Sequence, residues 1–178
     1  MANHQSLVDI WALIPVIPAP TMFAAKKSLF GVPGLGWSMA ASGFALIDRS
    51  NRVSAIRSLS AAAGKVRGGR PLVLFPEGTR SRDGRLGSFK KGPFHLALEA
   101  GVAVVPVAIS GSGKTLPPGR IRIRPGVVTV RFAPPIDPLP YRPDDLEGLM
   151  AEVRDAITRR LDPSEAESGA GDPALDAT

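Results

Sequence analysis

Two runs of this chain carry no polar side chain: LVLF (72–75) and VAVVPVAI (102–109). A strand with one wet face alternates apolar and polar residues, because successive side chains point to opposite sides. A run without alternation has to be covered on both faces, which places it inside a sheet with helices packed above and below. The segments between supply that cover. Arg52 to Arg67 reads as a helix with Val53, Ile56, Leu59 and Ala63 on one face, stopped by Gly68-Gly69. Pro93 to Ala100 reads as a short helix ended by Gly101. Asp144 to Leu161 reads as an amphipathic helix with Leu146, Leu149, Met150, Val153 and Ile157 inside. Thr21 to Lys27 and FALID (44–48) predict two further strands. Arg120 to Arg124 and Val127 to Phe132 alternate and predict a hairpin around Pro125-Gly126. The expectation is an α/β fold, a mostly parallel mixed sheet flanked by helices, in one domain over residues 1–161.

Charge narrows the partners. The net charge of +6 is unevenly spread: residues 162–178 hold five acids and no base. That stretch has almost nothing to bury and reads as a disordered acidic tail. The rest sets 22 bases against 11 acids, or +11, which suits an anionic partner: nucleic acid, an anionic membrane face or a phosphorylated substrate. Aromatics at 6%, and no basic stripe interleaved with stacking residues, argue against nucleic acid. Cysteine is absent, so disulfides, a thiolate nucleophile and Cys-ligated metals are excluded, and two histidines do not make a His-rich metal site. Ser28 to Ile47 is uncharged for 20 residues, long enough to span a bilayer. Gly31, Pro33, Gly34, Gly36 and Gly43 argue against a continuous helix there, so the stretch reads as buried or interfacial.

The candidate chemistry starts at His4 and Asp9, in NHQSLVD (3–9). In SLVDIWALI, Ser6 reads as a helix N-cap and Asp9 as the acidic member of a capping box, with Pro15 ending the helix. Residues five apart on a helix lie about 140° around its axis from each other. His4 and Asp9 therefore meet only if His4 is in the loop and Asp9 in the first turn, and a Ser6 cap puts them there. Asp9 would then fix the tautomer of His4 and leave the other ring nitrogen to act as a base. With no G-x-S-x-G setting for a nucleophile, the simplest use of that base is on a substrate hydroxyl. The same spacing also fits a helix-cap acid beside an exposed histidine.

FPEGTRS (75–81) follows the first apolar run and ends it in a turn. Backbone amides, the Thr79 hydroxyl and the Arg80 guanidinium form a candidate phosphate cradle, with Gly78 allowing close approach. Open α/β sheets place ligands at such strand ends. A polar loop with a solvated arginine would look the same. Arg49, Arg82, Arg85, Lys90 and Lys91 also flank strand ends and predict a shared basic cleft. SGSGKT (110–115) resembles a nucleotide phosphate loop, but Ala108 stands where the pattern needs glycine and LPPGR follows where it needs a helix.

Together NHQSLVD, GFALIDR (43–49), FPEGTRS and VVPVAI (104–109) resemble, in order, the four motif blocks of the phospholipid and glycerol acyltransferase family. KKSLFGVPGLGW (26–37) and FKKGPFHLA (89–97) resemble its connecting segments. The resemblance covers roughly residues 2 to 140. It implies that His4 is a general base and Asp9 its partner. The base would deprotonate the free hydroxyl of a lysophospholipid, such as lysophosphatidic acid, which attacks the thioester of acyl-CoA or acyl-carrier protein without an acyl-enzyme. Arg49, Glu77, Gly78, Thr79, Arg80 and Lys91 are expected to bind the acceptor, and Pro106 to shape the pocket. No cofactor is expected beyond the acyl co-substrate. Another lyso-lipid acceptor, such as a lyso-ornithine lipid, or a non-enzymatic anion-binding module, are the alternatives. The family's apolar helices and strand ahead of the first block are expected to be missing here. Location at the cytoplasmic face of the inner or plasma membrane, peripheral or anchored through such a segment, is the corresponding expectation.

Overall fold

The computed structural model of the chain describes residues 1–18, 20–26, 45–47, 52–120, 122–142 and 144–166. Among them the elements run α1 (Val8–Leu13), β1 (Met22–Lys26), β2 (Ala45–Ile47), α2 (Arg52–Arg67), β3 (Leu72–Val73), α3 (Lys91–Ala100), β4 (Val107–Ser110), α4 (Ser112–Thr115), β5 (Thr129–Phe132), α5 (Leu146–Thr158) and α6 (Pro163–Ala166).

β2, β1 and β3 form a parallel sheet in that order, with Ala24 opposite Ala45 and Met22 opposite Leu72. β4 and β5 pair antiparallel, Val107 opposite Phe132 and Ser110 opposite Thr129. The first residues of the chain join the two. The Ala2 amide donates to Leu74 O (3.0 Å), and the Val107 amide donates to Met1 O (2.8 Å). Met1–Ala2 thus occupies a strand position between β3 and β4 and makes one mixed, mostly parallel layer. Asn3 extends this seam with its side chain. Its Nδ2 donates to Ile109 O (2.8 Å), and its Oδ1 accepts from the Ile109 amide (2.7 Å).

The apolar runs are covered on both faces, as their lack of alternation demands. Val73, Val107 and Ile109 point to one side, packing with Ala2, Phe23 and Leu13 of α1. Leu74 points to the other, with Ala62 and Ala63 of α2 and Leu96 and Ala100 of α3. Ala108 faces that side too, meeting Phe94 of α3 and Leu149, Val153 and Ile157 of α5. α3 ends where Gly101 takes φ 62°, its amide donating to Ala97 O and Leu98 O.

Several expectations need correction. The strand expected over LVLF is only Leu72–Val73, and VAVVPVAI is split. Pro106 has no amide for a ladder, so β4 starts after it, while Val104 pairs separately with Ile136. The hairpin at 120–132 does not form: residues 122–128 are irregular and β5 takes β4 as its partner. Arg122, Ile123 and Arg124 are all exposed, so their alternation has no buried face to serve. Val53 is 68% exposed, because the packed stripe of α2 is Leu59, Ala62, Ala63 and Val66. Asp162 and Glu165, expected in a disordered tail, are instead held on the body. Asp162 pairs with Arg131 (3.2 Å), and Glu165 is buried with its Oε1 accepting from the Gly111 amide (3.1 Å). Residues 167–178 lie outside the described residues, as does most of Ser28 to Ile47. No helix among the described residues is long and apolar enough to cross a membrane.

An apolar cavity of about 530 Å³ lies between the end of α1, the start of β3 and residues 102–105. Leu13, Ile17, Leu72, Val104 and Phe132 line it, and none of the expected site residues does.

Candidate active site

His4 is held at its amide, its carbonyl and its ring. Its amide donates to Glu77 Oε1 (2.7 Å), and its carbonyl accepts from the Ser81 amide (2.8 Å). Its ring stacks on Phe75 with centroids 4.0 Å apart and planes 17° from parallel. Nδ1 lies 2.7 Å from Asp9 Oδ2. The loop-then-first-turn arrangement that the spacing required is therefore present, although the cap differs in detail. The helix starts at Val8 and Leu7 holds the cap position. Ser6 Oγ accepts from the Val8 amide (3.2 Å) and donates to Leu116 O (2.7 Å).

Asp9 is fully buried, and its Oδ2 also accepts from the Gln5 and Ser6 amides (2.8 Å each). A carboxylate ringed by N–H donors is an acceptor, so Nδ1 of His4 carries the hydrogen and donates it. In the neutral imidazole Nε2 then keeps its lone pair. The His4 side chain is 15% exposed, so part of it remains accessible. Gln5, itself buried, donates from Nε2 to Gly84 O (2.8 Å), so every residue from Asn3 to Ser6 is tied to a distant segment.

Residues 75–81 wrap this loop. Gly78 adopts φ 74°, a left-handed conformation that favours glycine, and turns the chain back so that Ser81 reaches His4. Thr79 is exposed and Arg80 half-buried. Among the described residues Arg80 has no ion-pair partner. Glu77 is placed differently from the rest. It is 5% exposed, and its second oxygen accepts from the Gly87 amide (2.9 Å). Both carboxylate oxygens thus accept from backbone amides. Burial pushes its carboxyl up to about 7; the two amide bonds and the Arg154 charge pull against that rise, and the Asp9 charge adds to it. Nearby, the Arg85 amide holds the Asp83 carboxyl below its ordinary range.

Not all expected residues converge. Lys91 opens α3 and pairs with Glu147 of α5 (3.2 Å), both well exposed. Pro106 is buried beside β5, its carbonyl accepting from the Ala133 amide (2.8 Å). Arg49 lies outside the described residues. Sequence reasoning missed the tying roles of Asn3 and Gln5 and the stacking of Phe75. The unbroken polar run Asn3-His4-Gln5-Ser6 is the signal that could have found the first two. The one-turn helix α4 occupies SGSGKT; Ser112 and Thr115 are buried, and Thr115 Oγ1 donates to Gly111 O (3.2 Å).

Residues 1–110 match the family model described as Acyltransferase. The chain is 42% identical over 131 residues to a 1-acyl-sn-glycerol-3-phosphate acyltransferase of Chlamydomonas reinhardtii, covering 73% of this chain and 39% of that one. It is 35% identical over 162 residues to the enzyme of that name from Salmonella typhimurium, covering 90% of this chain and 65% of that protein. The crystal structure of the 1-acyl-sn-glycerophosphate acyltransferase from Thermotoga maritima matches with a TM-score of 0.74 at 36% identity, covering 89% of this chain and 62% of that one. The chain spans less than two thirds of the length of each of these relatives.

Proposed function

The chain belongs to the acyltransferase family, and from that premise we propose that it acylates the free hydroxyl of 1-acyl-glycerol-3-phosphate, giving phosphatidic acid. The observation that carries this reading is the His4–Asp9 pair: Nδ1 committed to a buried carboxylate, and Nε2 without a hydrogen-bond partner among the described residues, in a partly exposed ring. Nε2 takes the proton as the substrate oxygen attacks the carbonyl carbon of acyl-CoA or acyl-carrier protein. The tetrahedral intermediate collapses by breaking the C–S bond. The imidazolium returns its proton to the leaving thiolate, so no acyl-enzyme is needed. Arg80, half-buried and beside the Ser81 amide that holds His4, receives the acceptor's phosphate with Thr79 and Gly78 through charge-assisted contacts. Arg49 is assigned to the same phosphate. The acceptor's acyl chain implies work at a lipid surface, and the basic body suits the anionic cytoplasmic leaflet.

Thiol release from acyl-CoA in the presence of lysophosphatidic acid tests the reading. His4→Ala is expected to reduce kcat by about 10²–10⁴-fold. Arg80→Ala is expected to raise acceptor KM about tenfold, the loss of one phosphate contact worth roughly 1.5 kcal/mol. Thiol release that survives intact in His4→Ala overturns the assignment of the base.

A further inference from the structure

Behind His4 a chain of contacts leads to a residue of α5. The side chain of Arg154 reaches two successive carbonyls of the loop before α3. Nη1 donates to Gly87 O (2.6 Å) and Nη2 to Leu86 O (3.0 Å). Its guanidinium lies over the Phe89 ring, 5.3 Å from the centroid. The same two residues are held from their amide side. Leu86 N donates to Glu165 O (3.2 Å) and Gly87 N to Glu77 Oε2 (2.9 Å). Glu77 Oε1 then takes the His4 amide (2.7 Å). The approach at Gly87 is tight: a Cβ there would sit 2.8 Å from Glu77 Oε2. Only a bare backbone lets the strap come this close.

We propose that Arg154, acting through the Leu86–Gly87 strap and the Glu77 carboxylate, is a positioning residue for His4. The residue lies beyond the stretch matched by the family model, which ends at residue 110. Three features carry the assignment. Two of the guanidinium bonds are charge-assisted and directed at adjacent carbonyls, so they fix the orientation of the strap as well as its location. Glu77 is buried with both oxygens used on backbone amides, which makes it a rigid spacer 73 residues from the residue it holds. His4 needs Nε2 aimed at a hydroxyl to a fraction of an ångström, and displacement by about 1 Å can cost 10²-fold in rate. The role of Glu77 here is distinct from acceptor binding, where a free carboxylate beside a phosphate would repel it.

The inference rests on the reading of His4 as the base, and its test separates the two. Arg154→Met is expected to lower kcat about tenfold to a hundredfold while both KM values stay within about twofold. Arg154→Lys, which keeps the charge and the aliphatic packing but cannot grip two carbonyls, is expected to recover part of kcat. In a Glu77→Gln background Arg154→Met should have little further effect, because the link is already broken. Independently of activity, the amide resonances of His4 and Gly87 should shift in Arg154→Met. Unmoved amides, or a kcat held at the wild-type value while thermal stability falls, overturn the proposal. If the unaltered protein releases no thiol, the reading of His4 fails, and the amide shifts alone still decide the tether.

Discussion

A carboxylate oxygen that accepts three hydrogen bonds, as Asp9 Oδ2 does, has no freedom to choose another partner, and its geometry is transferred to the imidazole that provides one of them. Glu77 does the same for the main chain of His4, but at the expense of burying an ionisable group. Its folded pKa is raised from 4.5 to about 7. Between those pH values the folded protein holds a proton that the unfolded chain has released. Stability from this group is therefore complete below about pH 4.5 and is lost as pH rises through 7, by up to about 3 kcal/mol. Glu77→Gln should flatten the fall in urea midpoint between pH 5 and 8, and an unchanged slope would refute this origin. The His4–Asp9 pair was legible in the sequence because five residues of local chain suffice to place it. The function of Glu77 was not, because its partners are backbone amides, and an amide leaves no mark in composition or spacing.

Elements were legible where periodicity speaks and obscure where pairing decides. α2 falls on its expected bounds, and the inner face of α5 is the one its 3.6-residue period gives. Leu149, Val153 and Ile157 are fully buried on that face against α3 and β4. Leu149→Ala should cost about 2–5 kcal/mol, measured by denaturant unfolding, since the surrounding helices cannot close over the lost volume. A cost under 1 kcal/mol would mean that α5 packs loosely. Because α5 also carries Arg154, the same helix anchors the core on one side and the strap of the site on the other. Strand lengths were misjudged for a different reason. A strand ends where its partner ends, and the partners of Val104 and of Leu74 lie far away in the chain.

At the scale of the molecule, the layer is closed by its own first residues. Asn3 and Ser6 reach Ile109 and Leu116, spans of 106 and 110 residues, and these bonds seat the loop that carries His4. Closing so long a loop is slow, whereas α3 and α5 meet over a shorter span of chain. In pulsed hydrogen exchange during refolding, amides of α3 and α5 should gain protection before those of Ala2, Ile109 and Ser6, and thiol release should return with the later set. Simultaneous protection would show that the seam forms with the core. During synthesis the order is inverted relative to use. Residues 1–9 leave the ribosome before their partners at 109–116 are made, a delay on the order of ten seconds at typical elongation rates. The nascent protein thus carries His4 long before the contacts that aim it exist, and the arrangement is complete only when the last-needed segments come out to receive it.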